Sequence, residues 1–418
     1  MIKANNPKLR SWVSVPEGSD FPIQNLPFGI FKTPGLSPRM GVAIGEQVAD
    51  LQVLAEHGFF DDLNIDRSIF ARPFLNDFIA LGKAKTSAVR YRISQILDND
   101  LEAWDASELA PFFLHRQADV QMLLPVKVGD YTDFYSSIEH ASNVGAMFRD
   151  PANPLLPNWR HLPVAYHGRA SSIVVSHTPI RRPQGQTLPS GATQPVFGPT
   201  QELDFELEVA FIIGKPTNLG QQIPTAEAED YIFGLVLFND WSARDIQRWE
   251  YQPLGPFLSK NFASTISPWI VTLEALEPFR TAPPKQTLGV LPYLQYEGKK
   301  SFDIHLEVAL QGQVICRSNF KHLYWNMSQQ LAHHTITGCN MNIGDMLASG
   351  TISGTKPDSY GSMLELSWRG TKPIALSNGS TRYFLADHDV VTLRGWCATK
   401  ERRIGFGEAT GVILPAEN

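Results

Sequence analysis

Asp204-Phe205-Glu206-Leu207-Glu208-Val209-Ala210-Phe211-Ile212-Ile213 is the stretch on which the reading of the whole chain turns. Side chains of a strand alternate between faces, so Glu206 and Glu208 point the same way, about 7 Å apart at the pleat repeat. Phe205, Leu207 and Val209 point the other way. Two carboxylates side by side repel unless solvent or a cation intervenes. Taken alone, the pair fits the solvated face of an amphipathic strand. The strand continues into a wholly apolar run at 209–213, as an interior strand would, and buried paired carboxylates call for a hard cation such as Ca²⁺ or Mg²⁺.

Similar strand-like segments, short and rich in Val, Ile and Phe, recur at 172–176, 304–310 and 390–393. Helical patterns are few, one at about 76–97 and another at about 319–335. Thirty-one Gly and thirty Pro imply many turns. Strands between turns with few crossover helices predict a mostly β, α+β protein. The first part of the chain has its own character: strand-like pieces at 29–32, 39–44 and 47–50, the helical stretch, then a loop at 111–119. A boundary there divides the 418 residues into 1–118 and 119–418, a two-domain length.

Hydrophobic residues make up 43% and charged residues 19%, the composition of a folded chain. A net charge of −6 excludes the basic footprint of a nucleic-acid partner. Apolar runs such as 232–238 are far below membrane-spanning length, so no membrane partner is expected. Residues 1–15 carry Lys3, Lys8 and Arg10 without an apolar segment behind them, so no signal peptide is expected. Cys316, Cys339 and Cys397 are odd in number, widely spaced and without a zinc pattern. They read as reduced thiols of a cytoplasmic protein.

Chemistry-bearing residues gather in four further places. Gly129-Asp130-Tyr131-Thr132-Asp133-Phe134-Tyr135 leads into Ser136-Ser137-Ile138-Glu139-His140, which has capping-box spacing from Ser136. A helix from Ser136 would align His140, Val144 and Phe148 on one stripe. An isolated histidine there reads as a core residue, and Arg149 complements the helix dipole at its end. The segment 233–247 reads as an apolar strand that stops at Asn239-Asp240, then a cap and a short helix carrying Arg244 and Gln247, with Asp240 a candidate N-cap. Gln247, Tyr251 and Lys260 lie on or beside Gly/Pro-rich backbone that can return polar groups to one site. The turn at 347–354 offers N–H groups able to receive a carboxylate. Glu365, alternating within an apolar strand-like run, calls for a dedicated partner such as a histidine. His333-His334 reads as structural, since adjacent helical residues do not face one ligand. Dinucleotide, phosphate-loop, nucleophile-elbow and His-Glu-x-x-His patterns are absent.

Six segments together resemble the fumarylacetoacetate hydrolase family: Gly-Asp-Tyr-Thr-Asp-Phe-Tyr-Ser-Ser at 129–137, Leu-Pro-Asn-Trp with Tyr-His-Gly-Arg-Ala-Ser-Ser at 156–172, Asn-Asp-Trp-Ser-Ala-Arg-Asp-Ile-Gln at 239–247, Pro-Leu-Gly-Pro-Phe-Leu at 253–258, Phe-Lys-His-Leu-Tyr-Trp at 320–325 and Ala-Ser-Gly-Thr-Ile-Ser-Gly at 348–354. The resemblance covers residue 120 to the end. It implies a small SH3-like β-barrel followed by a larger β-sandwich-roll catalytic domain. It implies a Ca²⁺ site of Asp133, Glu206, Glu208 and Asp240, and a second cation, Mg²⁺, around Asp240, Lys260 and Ser264, with Thr265 as the alternative hydroxyl. It assigns His140 as the base that activates water and Glu365 as its orienter. Tyr135, Arg149, Tyr166, Gln247, Tyr251 and Thr351 match substrate-contacting positions.

The implied reaction is hydrolysis of a β-diketo acid to fumarate and acetoacetate, at the end of tyrosine and phenylalanine breakdown, in a homodimer. Breaking a carbon–carbon bond this way expels a carbanion that must be held as an enolate. A hard cation on the 1,3-dicarbonyl suits that need, as does an imidazole backed by a buried carboxylate for the water. Arg244, Gln247 and Lys260 could place donors where charge develops. Acylpyruvate hydrolases and decarboxylases of the wider superfamily, or a metal-binding protein without catalysis, are the competing readings.

Overall fold

In the computed structural model, which describes residues 2–100, 104 and 106–417, the segment Leu207–Ile213 is a strand buried at every position. Leu207, Val209, Phe211 and Ile213 enter one hydrophobic core and Ala210 and Ile212 enter another. Both faces are covered, which is why the sequence loses its polar alternation there.

The N-terminal part forms a five-stranded antiparallel sheet from β1 (Phe28–Lys32), β2 (Arg39–Ile44), β3 (Gln47–Asp50), β4 (Leu114–Arg116) and β5 (Gln121–Leu123), ordered β4-β3-β2-β1-β5. Its helices are α1 (Leu51–Glu56), capped by the Asp50 carboxylate, α2 (Asn76–Ile79), α3 (Lys83–Ile96) and α4 (Ala110–Phe113). The single helix expected at 76–97 is two. Gly82, at φ 81° and ψ 162°, stands between them in a conformation no helix interior admits.

The central sheet is mixed: β6 (Tyr131–Phe134), β7 (Ala165–His167), β8 (Ile173–Val175), β9 (Leu207–Ile213), β10 (Ile232–Asp240), β11 (Ser264–Ile266) and β12 (Met346–Ala348) lie in the order β7-β6-β12-β9-β10-β11-β8. One face packs on the N-terminal sheet and helices. The other packs on a second five-stranded sheet that includes His305–Leu310, Val390–Ala398 and Arg403–Leu414. Sheets with few helices bear out the α+β expectation. The remaining helices are α5 (Ile138–Phe148), α6 (Arg244–Glu250), α7 (Leu273–Leu276), α8 (Met327–Thr335) and α9 (Met363–Leu366).

Several local expectations are corrected. The helix expected over 319–335 begins only at Met327, where Asn326 and Gln329 form a capping box, because the chain is still a strand up to Asn319. Glu365 lies on α9, not on a strand: its own N–H is capped by Ser362. α5 is capped by Ser137, one residue after the expected Ser136. Asp240 ends β10 and caps nothing, since α6 starts four residues later after Ala243. Of the stripe His140, Val144 and Phe148 on α5, His140 is buried and Phe148 is 40% exposed. No disulfide forms among the described residues, and Cys316 and Cys397 are buried. No helix among them is long and apolar enough to cross a membrane.

A candidate metal and acid–base site

Strand register gathers the acids. In β6, Asp133 sits opposite Ala348 of β12, and Asp240, at the end of β10, sits opposite Ser264 of β11. With β9 between β12 and β10, oxygens of Asp133, Glu206, Glu208 and Asp240 all lie within 4.8 Å of one another, and all four residues are buried.

Their partners are unequal. Glu206 meets Arg244 and Lys260, each at 2.7 Å, and accepts from Ser242. Asp240 accepts from Lys260 Nζ at 2.7 Å and Tyr166 OH at 2.8 Å on Oδ2, and from Ser264 Oγ at 2.8 Å on Oδ1. Glu208 Oε2 accepts from the Gly350 N–H at 2.9 Å. Asp133 Oδ1 and Glu208 Oε1 are buried with no partner.

Two cations among four carboxylates leave the cluster negative, and the ionisation behaviour shows where. Burial pushes Glu206 up, but Lys260 and Arg244 outweigh it and hold its carboxyl well below the usual range. Asp133 is pushed well above the usual range by burial and then by Asp240, and Glu208 by burial and then by Asp133. The two acids without cationic partners are the two left with an orphaned oxygen. That is the signature of a site built for a cation: hard oxygen donors, excess negative charge and lone pairs aimed at a common point.

Gly350 shows why the turn at 347–354 is glycine-rich. Its φ is 76°, and a Cβ there would come within 2.3 Å of Phe134 O. The N–H expected to receive a carboxylate does so, but the carboxylate is the chain's own Glu208.

The second half of the site is a histidine–glutamate pair. His140 Nδ1 lies 2.6 Å from Glu365 Oε2, both buried. Ser353 Oγ donates to Glu365 Oε2 at 2.8 Å, Ser362 Oγ to the same oxygen at 3.0 Å, and Asn143 Nδ2 to Oε1 at 2.8 Å. Burial raises the Glu365 carboxyl, but His140 and these donors outweigh it and keep it ionised. A carboxylate only accepts, so Nδ1 carries the proton of this bond, and Nε2 is the ring nitrogen left for other partners. Tyr135 meets the His140 ring edge-on at 5.2 Å between centroids.

Of the other expected residues, Gln247 Oε1 accepts from Arg244 at 3.2 Å. Thr351 is buried with its hydroxyl unpartnered. Ser264, not Thr265, reaches Asp240; Thr265 faces away and accepts from Trp241. Tyr251 is exposed at the end of α6, one turn beyond Gln247, and no polar contact ties its side chain to the acids or the dyad among the described residues. Arg149 is exposed, its guanidinium donating to Pro154 O. The glutamate's holders Asn143, Ser353 and Ser362 were not singled out from sequence. Two carry a signal: Asn143 lies one turn from His140, and Ser362-x-x-Glu365 has capping-box spacing.

Residues 24–125 match the family described as fumarylacetoacetase N-terminal, and residues 131–413 the one described as fumarylacetoacetate (FAA) hydrolase C-terminal. The chain is 52% identical to a fumarylacetoacetase of Homo sapiens over 414 residues, covering 97% of this chain and 99% of the relative. It is also 52% identical to one of Dictyostelium discoideum, covering 98% and 99%. Among solved structures, a fumarylacetoacetate hydrolase from psychrophilic Exiguobacterium antarcticum superimposes with a TM-score of 0.53 over 94% of this chain and all of the other, at 18% identity, a likeness of fold.

Proposed function

The chain belongs to the fumarylacetoacetate hydrolase family, and we propose that it hydrolyses the carbon–carbon bond of fumarylacetoacetate to fumarate and acetoacetate, the closing step of tyrosine and phenylalanine breakdown. The observation that carries this reading is a buried His140–Glu365 pair beside four converging carboxylates, two of them short of a partner.

The residues divide the chemistry between them. His140 Nε2 takes a proton from water, whose oxygen attacks the carbonyl next to the bond that breaks. Glu365 holds the ring and stabilises the imidazolium that forms. The electron pair of the broken bond passes to an enolate, which regains a proton on carbon as acetoacetate. Arg244 donates through Nε to Asp204 and through Nη1 to Gln247, while Nη2 ion-pairs with Glu206 without a hydrogen bond, leaving donors for the developing charge. Lys260 lies beside them, kept charged because Asp240 and Glu206 outweigh the effect of burial. Tyr166 and Tyr135 stay neutral hydroxyls, raised chiefly by burial. Tyr135 serves as a donor to a substrate oxygen, while Tyr166, whose proton goes to Asp240, meets the substrate through its oxygen. Arg149, Gln247, Tyr251 and Thr351 complete the substrate contacts, with Arg149, held by Pro154 O, and Tyr251 exposed at the surface to meet a terminal carboxylate.

Asp133, Glu206, Glu208 and Asp240 would hold Ca²⁺, which when bound supplies Lewis-acid polarisation of the 1,3-dicarbonyl oxygens. A second cation, Mg²⁺, is placed at Asp240, Ser264 and Lys260. Of Lys260, only the backbone carbonyl could ligate, since an ammonium has no lone pair. The proposal includes an N-terminal unit of residues 1–118 with an SH3-like barrel and a catalytic unit of 119–418. The pairing of β5 with β1 supports carrying the N-terminal unit a few residues further. It also includes a homodimer, on family resemblance, and a cytoplasmic location, supported by three unpaired thiols.

Steady-state kinetics on fumarylacetoacetate beside a series of acylpyruvates tests the substrate. We expect kcat/KM on fumarylacetoacetate to exceed that on every acylpyruvate by at least about 100-fold, the discrimination of a site that pairs a distal carboxylate. Equal or higher values on an acylpyruvate would overturn it.

A further inference from the structure

Asp204 is a fully buried carboxylate with no metal to hold and no place in the reaction above. The regular strand does not reach it. Residues 203–204 leave β9 and pair instead with Ser242 and Ala243, just ahead of α6. Asp204 is not among the four acids whose oxygens converge, though it shares the Arg244 guanidinium with Glu206. Its Oδ2 accepts from Arg244 Nε at 2.8 Å. The same carboxylate accepts the Met363 N–H on Oδ1 at 2.6 Å and the Leu364 N–H on Oδ2 at 3.0 Å. Those two N–H groups open α9, the one-turn helix whose third residue is Glu365.

A helix of four residues has little stability of its own, and its first amides have no partner within it. Ser362 satisfies the Glu365 N–H, and Asp204 satisfies the two before it. One side chain therefore ties the guanidinium at the acid cluster to the helix that aims the dyad's carboxylate.

We infer that Asp204 is a positioning residue: it locks Arg244 and α9 to one another, so that the donor on one side of the substrate and the Glu365–His140 dyad on the other hold a fixed separation. The inference rests on the roles given above to Arg244 and Glu365. In the transition state both must act on one substrate, so slack between them lowers turnover more than ground-state binding.

The test is a double-mutant cycle on the metal-loaded enzyme with Asp204→Asn and Glu365→Gln. Asparagine keeps the shape but turns an N–H₂ toward groups that are all donors. Asp204→Asn should lower kcat by about 10- to 100-fold, within the range of a misplaced catalytic group, with metal content unchanged and KM within about twofold. In the Glu365→Gln background the same change should cost much less, because the carboxylate it positions is gone. Asp204→Glu, which retains the charge, should not restore kcat, since the longer arm moves the anchor. Unchanged kcat in Asp204→Asn, or equal fold-losses in both backgrounds, would overturn the inference. Full activity of Glu365→Gln alone would instead refute the underlying dyad. Should Asp204→Asn fail to fold, Arg244→Lys answers the same question by amide exchange: loosening one end of the tie should speed exchange at Met363 and Leu364 at least tenfold. Unchanged exchange there would contradict it.

Discussion

Glu206 and Glu208 sit two residues apart, and their surroundings set them to opposite ends of the carboxylate range. Glu206 is matched by Lys260 and Arg244; Glu208 has one backbone N–H and an orphaned oxygen. Replacing Glu206 by Gln removes a charge that two buried cations share, so metal affinity should fall at least tenfold in a calorimetric titration. Asp204→Asn should leave that affinity close to wild type. Matching curves for the two variants would place the ligand face wrongly. His140→Ala removes a base that acts on water, so kcat should fall on the order of 10²–10⁴-fold with KM and metal content preserved. A variant that melts early yet keeps normal kcat in its folded fraction would make His140 a core residue instead. The sequence carried much of this scale. Acidic residues at strand and cap positions mark themselves by period-two spacing and by apolar neighbours. Glu365 marked itself as needing a partner even though its helix was read as a strand. Ser353 left little trace, because a serine that holds a carboxylate across a turn looks like any other turn residue.

At the scale of elements, β9 and β10 are the frame for the acids, and their side chains are divided between two cores. Leu237 pairs with Val209 across the two strands and is fully buried against the second sheet. Leu237→Ala should destabilise by about 2–5 kcal/mol, read by denaturant unfolding, through lost burial and the cavity left behind. A loss under about 1 kcal/mol would mean the strand pair is not the rigid frame described. Strands were legible wherever Val, Ile and Phe ran together. Element ends were less so, because they depend on single local devices: the left-handed Gly82 that divides α2 from α3, the Asn326–Gln329 box that delays α8, the choice of Ser137 over Ser136. The apolar period does not mark such devices, and for Ser136 a distant partner decides, since its hydroxyl accepts from Gln330 Nε2 instead of capping α5.

For the whole molecule, the central sheet is packed between the N-terminal layer and the second sheet, and the four acids are buried within it. Layer order and strand order, set by contacts across hundreds of residues, were beyond the sequence pattern; the α+β class was not. The buried negative cluster has a global consequence. Asp133 and Glu208 have folded-state carboxyls raised above their unfolded values, so the metal-free fold binds protons that the unfolded chain releases. Their contribution is present below the ordinary carboxylate range and is lost as pH rises through the raised values. Melting curves of metal-stripped protein should therefore show stability falling as pH rises above that range, and saturating divalent cation should abolish the fall. A pH profile identical with and without the cation would contradict this.

The most direct measurement of the central claim is product formation by one preparation, stripped by chelator and then reloaded, with fumarate and acetoacetate counted separately and metal content assayed at each stage. The account predicts activity at background in the stripped enzyme, recovery on adding a divalent cation, and the two acids in equal amounts. Full turnover with the metal analysed as absent, or a reloaded enzyme that yields no fumarate, would contradict it.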